Sequence, residues 1–184
     1  RSTLFPYTTL FRSRTGMARI VREVEPGLAG SGISPLNLFS GFFMRTSARN
    51  ALRGKITAIA SGALNAEIAV AVSEDTTIYA VVTSGSLRDL GLCIGREAVV
   101  LIKAPFVMIA PGHEPPATSA RNCIRGIVKR CAISSVNAEI VLDIGDGKSL
   151  VSSITSHSAT ALDLAPGKQA CALFDAAHVI IAID

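Results

Sequence analysis

A five-residue run occurs twice in this chain and carries side chains suited to holding an anion. Thr46-Ser47-Ala48-Arg49-Asn50 recurs 72 residues later as Thr118-Ser119-Ala120-Arg121-Asn122. In both copies a serine hydroxyl stands two residues before an arginine, whose guanidinium is a planar fork of N–H donors. Donors and positive charge, with few obligatory acceptors, suit an anion that carries no proton. The run therefore indicates a candidate anion site in each copy.

The charge balance agrees with an anionic partner without choosing one. The formal net charge is +4 and the pI is near 9.1, which favours nucleic acid, a membrane surface or a small anion. Binding of single-stranded nucleic acid would need stacking aromatic side chains, and aromatic residues make up 5% of the chain. No apolar run reaches the ~20 residues that cross a bilayer. We therefore expect no membrane, whereas the charge by itself leaves the kind of anionic partner open.

Residue patterns typical of catalysis are missing from the sequence. It contains no phosphate-binding loop, no HExxH motif and no evident Ser-His-Asp or Cys-His set, so we expect no enzyme. The cysteines form no CxxC pair and lie at no zinc-ligand spacing to a histidine, so no metal ligated directly by the protein is expected. They are interpreted as small core residues of a protein in a reducing compartment, the cytoplasm. They are Cys93, Cys123, Cys131 and Cys171.

The repeat extends well beyond the five-residue run. The same offset aligns about two dozen identities over about 65 positions without a gap, which indicates a duplication. We place the first repeat at residues 46–110, a proline-rich linker at 111–117 and the second repeat at 118–184. The identities include Arg53-Gly54 with Arg125-Gly126, Asn65–Ile68 with Asn137–Ile140, and Thr83-Ser84 with Thr155-Ser156.

Each repeat is predicted to be all-β. Alternating apolar residues between turn signals favour four strands and a short fifth one, with a helical turn over Ser86–Leu90 between the third and fourth. This order is typical of an OB-like barrel. The predicted fold is two tandem OB-like five-stranded barrels with a short N-terminal helical remnant. The strands of the first repeat are Lys55–Ala60, Ala66–Val72, Thr77–Thr83, Ala98–Lys103 and Val107–Ala110.

The motif set resembles the Mop repeat, and two copies in tandem resemble a di-Mop (Mop/TOBE) domain. The TSARN run is followed by RG, NAE, a TxxS loop, LGL with a glycine three residues later, and IKAP. The resemblance implies an OB-like barrel that binds molybdate or tungstate at interfaces between units of a homodimer or higher homo-oligomer. Carried over residue by residue, it implies an oxyanion site of Ser47, Arg49, Thr83, Ser86, Lys103 and Ala104.

The second repeat departs from the family pattern at one position. Lys103 corresponds to Asp175, so a carboxylate stands where the first repeat has a cation. A carboxylate there would repel an anion. The second repeat is therefore either largely structural or the contributor of a different kind of site. The candidate residues of such a site are Ser119, Arg121, Thr155 and Ser158.

Several of these side chains also have an ordinary structural interpretation. Thr83 and Ser86 could cap the helical turn, and Lys103 could protect a strand edge. Turn and barrel-surface roles are favoured for Asn65, Glu67, Asn137 and Glu139.

Residues before the first repeat differ in character. Residues 1–13 contain TLFPYTTLFRS, which resembles a sequencing adapter translated in frame, and we expect them not to belong to the fold. Residues 14–45 resemble the segment between the winged-helix and di-Mop domains of molybdate-responsive transcriptional regulators, the ModE family. The resemblance implies the effector-sensing part of a regulator that meets DNA only through its missing N-terminal domain. The alternative is a free-standing cytoplasmic molybdate storage protein, a molbindin.

Overall fold

Strands dominate the computed structural model, which describes residues 46–183. The expectations for residues 1–13 and 14–45 lie outside these residues. The strands of the first repeat are β1 (Asn50–Ser61), β2 (Asn65–Ala71), β3 (Thr77–Thr83), β4 (Glu97–Ile102) and β5 (Met108–Pro111). Those of the second are β6 (Asn122–Ile133), β7 (Asn137–Asp143), β8 (Ser149–Thr155), β9 (Gln169–Phe174) and β10 (Ile180–Ala182).

Short helices follow the third and fourth strands of each repeat. Helix α1 (Ser84–Asp89) follows β3, and α2 (Ser156–Ala161) follows β8. A 3₁₀ turn over Ala104–Phe106 follows β4, and a second over Ala176–His178 follows β9. The predicted all-β class, the OB-like fold and the helical turn between the third and fourth strands are confirmed.

The two sheets exchange their last strands, which the tandem-barrel prediction did not foresee. One sheet has the order β10-β4-β1-β2-β3, and the other has the order β5-β9-β6-β7-β8. Ile181 of β10 lies opposite Val100 of β4, and Ile109 of β5 lies opposite Ala172 of β9. Each repeat thus supplies four strands to its own antiparallel sheet and one to the sheet of the other repeat.

The first strand of each repeat is long because it serves two ladders. Residues 50–55 of β1 pair with β4, and residues 55–61 pair with β2, with a bulge between Ile56 and Ala58. Gly54 lies where the ladders meet, and a Cβ there would stand 2.4 Å from the Ala71 carbonyl oxygen. The same contact recurs at Gly126, 2.5 Å from the Asp143 carbonyl oxygen. A glycine is therefore required at the bend, where the backbones approach closely.

One hydrophobic cluster runs through both repeats. It joins buried side chains of every strand, including Ile68 and Val100 from the first repeat and Ile140 and Phe174 from the second. The described residues from Ser47 onward accordingly form one compact unit. The exchanged strands and the shared core make the two repeats parts of a single packed body.

The 3₁₀ turns meet at the boundary between the repeats. The turn over Ala104–Phe106 contacts β8, and the turn over Ala176–His178 contacts β3. The Phe106 and His178 rings, equivalent in the two repeats, stack with their centroids 4.4 Å apart. The contacts of one repeat are thus mirrored by those of the other, which is an approximate two-fold relationship within one chain.

Candidate oxyanion site

The start of β1 and the end of β4 bring two predicted cations to one place. Asn50 pairs with Ile102, so Arg49 and Lys103 are the next residues along at the same end of this antiparallel ladder. Both side chains are exposed, and the Arg49 side chain keeps 68% of its accessible surface. Ala104 follows at the start of the 3₁₀ turn and is buried. Ser47 is exposed two residues before Arg49. Four of the six predicted residues therefore belong to one end of this ladder.

Thr83 and Ser86 form a second group at the start of α1. The Thr83 hydroxyl accepts a hydrogen bond from the Ser86 backbone N–H at 3.0 Å and donates to the Ser86 hydroxyl at 3.0 Å. Thr83 is therefore the N-cap of α1, the structural role considered for it from the sequence. Capping uses one lone pair of the Thr83 hydroxyl, and the Ser86 hydroxyl, which accepts from Thr83, can still donate its own proton.

Within one repeat these two groups lie apart. Thr83 pairs with Asn65, next to the β1–β2 hairpin at one end of β1, whereas Arg49 precedes the other end of that 12-residue strand. Arg49 instead contacts Glu139 of the second repeat, and Glu139 pairs with Ser153, two residues before Thr155. The structure therefore does not unite the six predicted residues of the first repeat in one pocket.

Arg49 forms an ion pair across the boundary between the repeats. Its Nη2 donates to Oε2 of Glu139 at 2.8 Å. The other carboxylate oxygen, Oε1, accepts from Nη2 of Arg130. Glu139 is therefore shared between two guanidinium groups, one from each repeat, and its side chain is 27% exposed.

Arg121 forms the equivalent ion pair in the opposite direction, with a different geometry. Its Nε and Nη2 donate to Oε2 and Oε1 of Glu67 at 3.0 and 3.1 Å. The guanidinium carbon also lies 3.7 Å from the centre of the Tyr79 ring. The hydrogen bonds from Arg121 lower the pKa of Glu67. Arg121 is therefore held by two oxygens and a ring face, whereas Arg49 gives Glu139 one nitrogen.

The predicted residues of the second repeat are only partly suited to an anion. Thr155 caps α2 as Thr83 caps α1, accepting from the Ser158 N–H at 3.1 Å. Asp175, in the position of Lys103, accepts from the Ala177 N–H at 2.7 Å and caps its 3₁₀ turn. Ser119 is exposed. The carboxylate of Asp175 thus binds a backbone donor of its own 3₁₀ turn and places a negative charge where the first repeat has Lys103.

Sequence reasoning missed the acidic partners. Turn and barrel-surface roles are favoured for Glu67 and Glu139 from the sequence, and in the structure each carboxylate also pairs with an arginine of the TSARN run. Each partner lies in the other repeat, 54 or 90 residues away, so no local spacing reveals it. The available signal was the co-occurrence of an arginine and a glutamate at equivalent positions of both repeats.

No set of three or more His, Cys, Asp or Glu side chains within residues 46–183 is arranged to hold a metal ion. In the same residues, no helix has the length and apolar character needed to cross a membrane.

The chain is similar to several molybdenum-related proteins over most of its length. It is 45% identical over 161 residues to the molybdenum-pterin-binding protein MopA of Rhodobacter capsulatus, covering 85% of this chain and 61% of that protein. It is 36% identical over 146 residues to the molybdenum transport protein ModE of Azotobacter vinelandii, covering 79% of this chain and 54% of ModE. The chain thus spans little more than half the length of these curated relatives.

A solved structure matches the fold closely. The cytoplasmic molybdate-binding protein ModG, in a form with molybdate bound, aligns with a TM-score of 0.73 and 36% identity. The alignment covers 77% of this chain and 100% of the ModG chain. The TOBE domain family matches twice, at residues 46–109 and 118–181. The protein therefore belongs to the TOBE domain family and carries two Mop-type TOBE domains in tandem.

Proposed function

We propose that this protein binds molybdate or tungstate and performs no catalysis on it. The observation that carries the proposal is the placement of Arg49 and Lys103 at the same end of the β1–β4 ladder. The fold aligns with the whole chain of a relative that has molybdate bound. The curated relatives are named as binding, transport and regulatory proteins, which supports a binding role.

The donor chemistry fits a tetrahedral dianion. Arg49 offers a fork of N–H donors, Lys103 a compact ammonium, and the backbone N–H of Ala104 a donor at the start of the 3₁₀ turn. Hydroxyls from Ser47 and from a Thr-x-x-Ser cap would complete the shell. Each charge-assisted hydrogen bond contributes roughly 1.5–3 kcal/mol, and several are needed to offset the hydration that the anion loses.

We further propose that a complete site forms between units of a homodimer or higher oligomer. The cationic group and the Thr-x-x-Ser cap of one repeat lie at opposite ends of β1, so the cap that completes a site must come from another repeat. In this proposal that repeat belongs to a second chain. The hairpin tip beside each cap exposes an apolar side chain, Leu64 at 81% and Val136 at 71%. The carbonyls of these two residues accept from the first N–H of α1 and α2, so the tips adjoin the caps. Burying them in a subunit contact would remove this apolar surface from water.

For the whole protein we propose a cytoplasmic molybdate sensor within a transcriptional regulator. Relatives named ModE match 79–90% of this chain, and the chain spans 54–64% of their length. In this proposal residues 14–45 belong to a linker, and DNA is contacted only through an N-terminal domain. A free-standing molybdate storage protein is the second candidate, because the alignment covers the full ModG chain.

Calorimetry on residues 14–184 tests the binding proposal. Molybdate and tungstate should bind, with sulfate and phosphate far weaker, because sulfate is smaller and phosphate carries a proton that needs an acceptor. Equal affinity for sulfate would contradict the assignment of molybdate or tungstate as the ligand. Light scattering on the same sample should give a dimer or larger, and a monomer that binds molybdate fully would contradict assembly of the site between chains.

The regulatory role needs a separate measurement. The complete gene product should bind its own promoter DNA with an affinity that changes when molybdate is added. If molybdate binds tightly while DNA binding is absent with and without it, the storage role is the correct one.

A further inference from the structure

The two arginines of the TSARN runs differ in how their carboxylate partner holds them. Glu67 uses both oxygens on Arg121, one on Nε and one on Nη2. Glu139 uses one oxygen on Arg49, because its other oxygen is taken by Arg130. A side-on bidentate pair consumes the Nε and Nη2 donors together, whereas a single contact leaves the Nε donor of the guanidinium for another ligand.

The difference follows from a single position in the repeat. Arg130 lies directly after the bulge of β6, where the register to β7 shifts, and its side chain reaches Glu139 on the neighbouring strand. The equivalent residue after the bulge of β1 is Ala58, which has no charge to offer Glu67. The chain therefore contains both versions of the same arginine-glutamate pair, one with a second cation and one without it.

We propose that Arg130 is a positioning residue for the anion site of the first repeat. By occupying one oxygen of Glu139, it restricts that carboxylate to a single contact with Arg49 and leaves the remaining guanidinium donors to the anion. Glu139 still fixes the direction of Arg49 across the repeat boundary. This inference rests on the proposed oxyanion binding, and it assigns a role to a residue outside the TSARN, Thr-x-x-Ser and lysine set.

Charge acts in the same direction as geometry. Arg130 adds a positive charge beside a carboxylate that would otherwise repel the incoming anion. Among the described residues, the surroundings of Arg49 combine Arg130 and Lys103 with Glu139, whereas Arg121 lies beside Glu67 in the repeat that carries Asp175. The first repeat is thus the one whose arginine is available to an anion.

A double-mutant cycle with molybdate as the probe tests this role. Arg130→Ala should weaken molybdate binding about fivefold, because Glu139 becomes free to clamp Arg49 with both oxygens. The matched control is Lys129→Ala, which removes the same charge from the adjacent exposed residue and should change affinity less than twofold. In a Glu139→Gln background, Arg130→Ala should change affinity less than twofold, the limit set for the Lys129→Ala charge control, since the carboxylate through which Arg130 positions Arg49 is gone.

A second measurement does not depend on binding. In the anion-free protein, the Arg49 Nε–H resonance should move on Arg130→Ala and stay in place on Lys129→Ala. Equal losses from Arg130→Ala in the wild-type and Glu139→Gln backgrounds would overturn the proposal, as would a Lys129→Ala effect of the same size. Unchanged molybdate affinity in Arg130→Ala would overturn it too. Absence of molybdate binding to the wild-type protein would instead refute the proposed function itself, whatever the resonance shows.

Discussion

The side-chain amide of Asn50 pairs with both backbone groups of Val151. Its Nδ2 donates to the Val151 carbonyl at 2.9 Å, and its Oδ1 accepts from the Val151 N–H at 2.6 Å. The same pairing joins Asn122 to Tyr79, at 2.9 and 2.7 Å. β8 and β3 are the terminal strands of their sheets, so each amide takes the place of a neighbouring strand on an otherwise open edge.

Asn50→Ala should destabilise the protein by about 2–4 kcal/mol. Asn50 is 1% exposed, and its loss leaves both backbone groups of Val151 without this partner as well as removing a contact to the Ile102 carbonyl. Urea unfolding measures the change. The control is Asn65→Ala, an exposed asparagine at the start of β2, which should cost much less. Equal losses of stability in the two variants would show that the Asn50 amide does not protect the open edge of β8.

Arg49→Ala and Lys103→Ala should each weaken molybdate binding by roughly 2 kcal/mol or more, because each removes a charged donor from a partly desolvated anion. Arg121→Ala should weaken it less, since that guanidinium is held by Glu67 and Tyr79. Titration calorimetry compares the three variants with Lys168→Ala, a loop cation paired with Asp163. An Arg121→Ala loss as large as that of Arg49→Ala would show that both repeats bind alike.

Glu67→Gln should reduce stability at neutral pH and have little effect in acid. The fold lowers the pKa of Glu67 through hydrogen bonds from Arg121, so the carboxylate stabilises the fold above its unfolded pKa. That contribution is lost as pH falls through the lowered folded pKa. The pair is partly exposed to solvent, so the difference at pH 7 should stay below about 1 kcal/mol. Unfolding of the wild-type and Glu67→Gln proteins between pH 7 and pH 3 measures the difference in stability. A difference that grows as the pH falls would contradict a stabilising role for the Glu67 carboxylate.

The four cysteines should react with a maleimide at different rates. Cys93 is exposed and should be labelled first, whereas Cys171 is buried and should be labelled last. Burial also raises the pKa of the Cys171 thiol, which lowers the fraction of reactive thiolate. Mass spectrometry of a time course identifies the order. Fast labelling of Cys171 in the folded protein would mean that β9 opens readily.

Local patterns predicted the elements well because they depend on neighbours in sequence. Alternation placed the third strand of the first repeat at Thr77–Thr83, the bounds that the structure gives β3. The alternation of apolar and polar residues does not show which strand lies next to which in a sheet. The exchange of β5 and β10 between the sheets therefore could not be predicted from it. The repeat register located Arg49 and Lys103, and pairing in the β1–β4 ladder brings them to one end. Glu139 and Arg130 could not be predicted, because only the bulge of β6 and the contact between the repeats bring these two side chains to Arg49.

The strand exchange has a consequence for biosynthesis. β10, at residues 180–182, completes the sheet that begins with β1, so that sheet remains unfinished until those residues have left the ribosome. Pairings this distant in sequence slow folding, because a long loop must close before they contribute. The first repeat therefore cannot mature while the second is being translated, as the N-terminal domain of a multidomain protein ordinarily does. Until then the outer edge of β4 stays open to strands from neighbouring nascent chains, so aggregation during synthesis should be most acute just before β10 emerges.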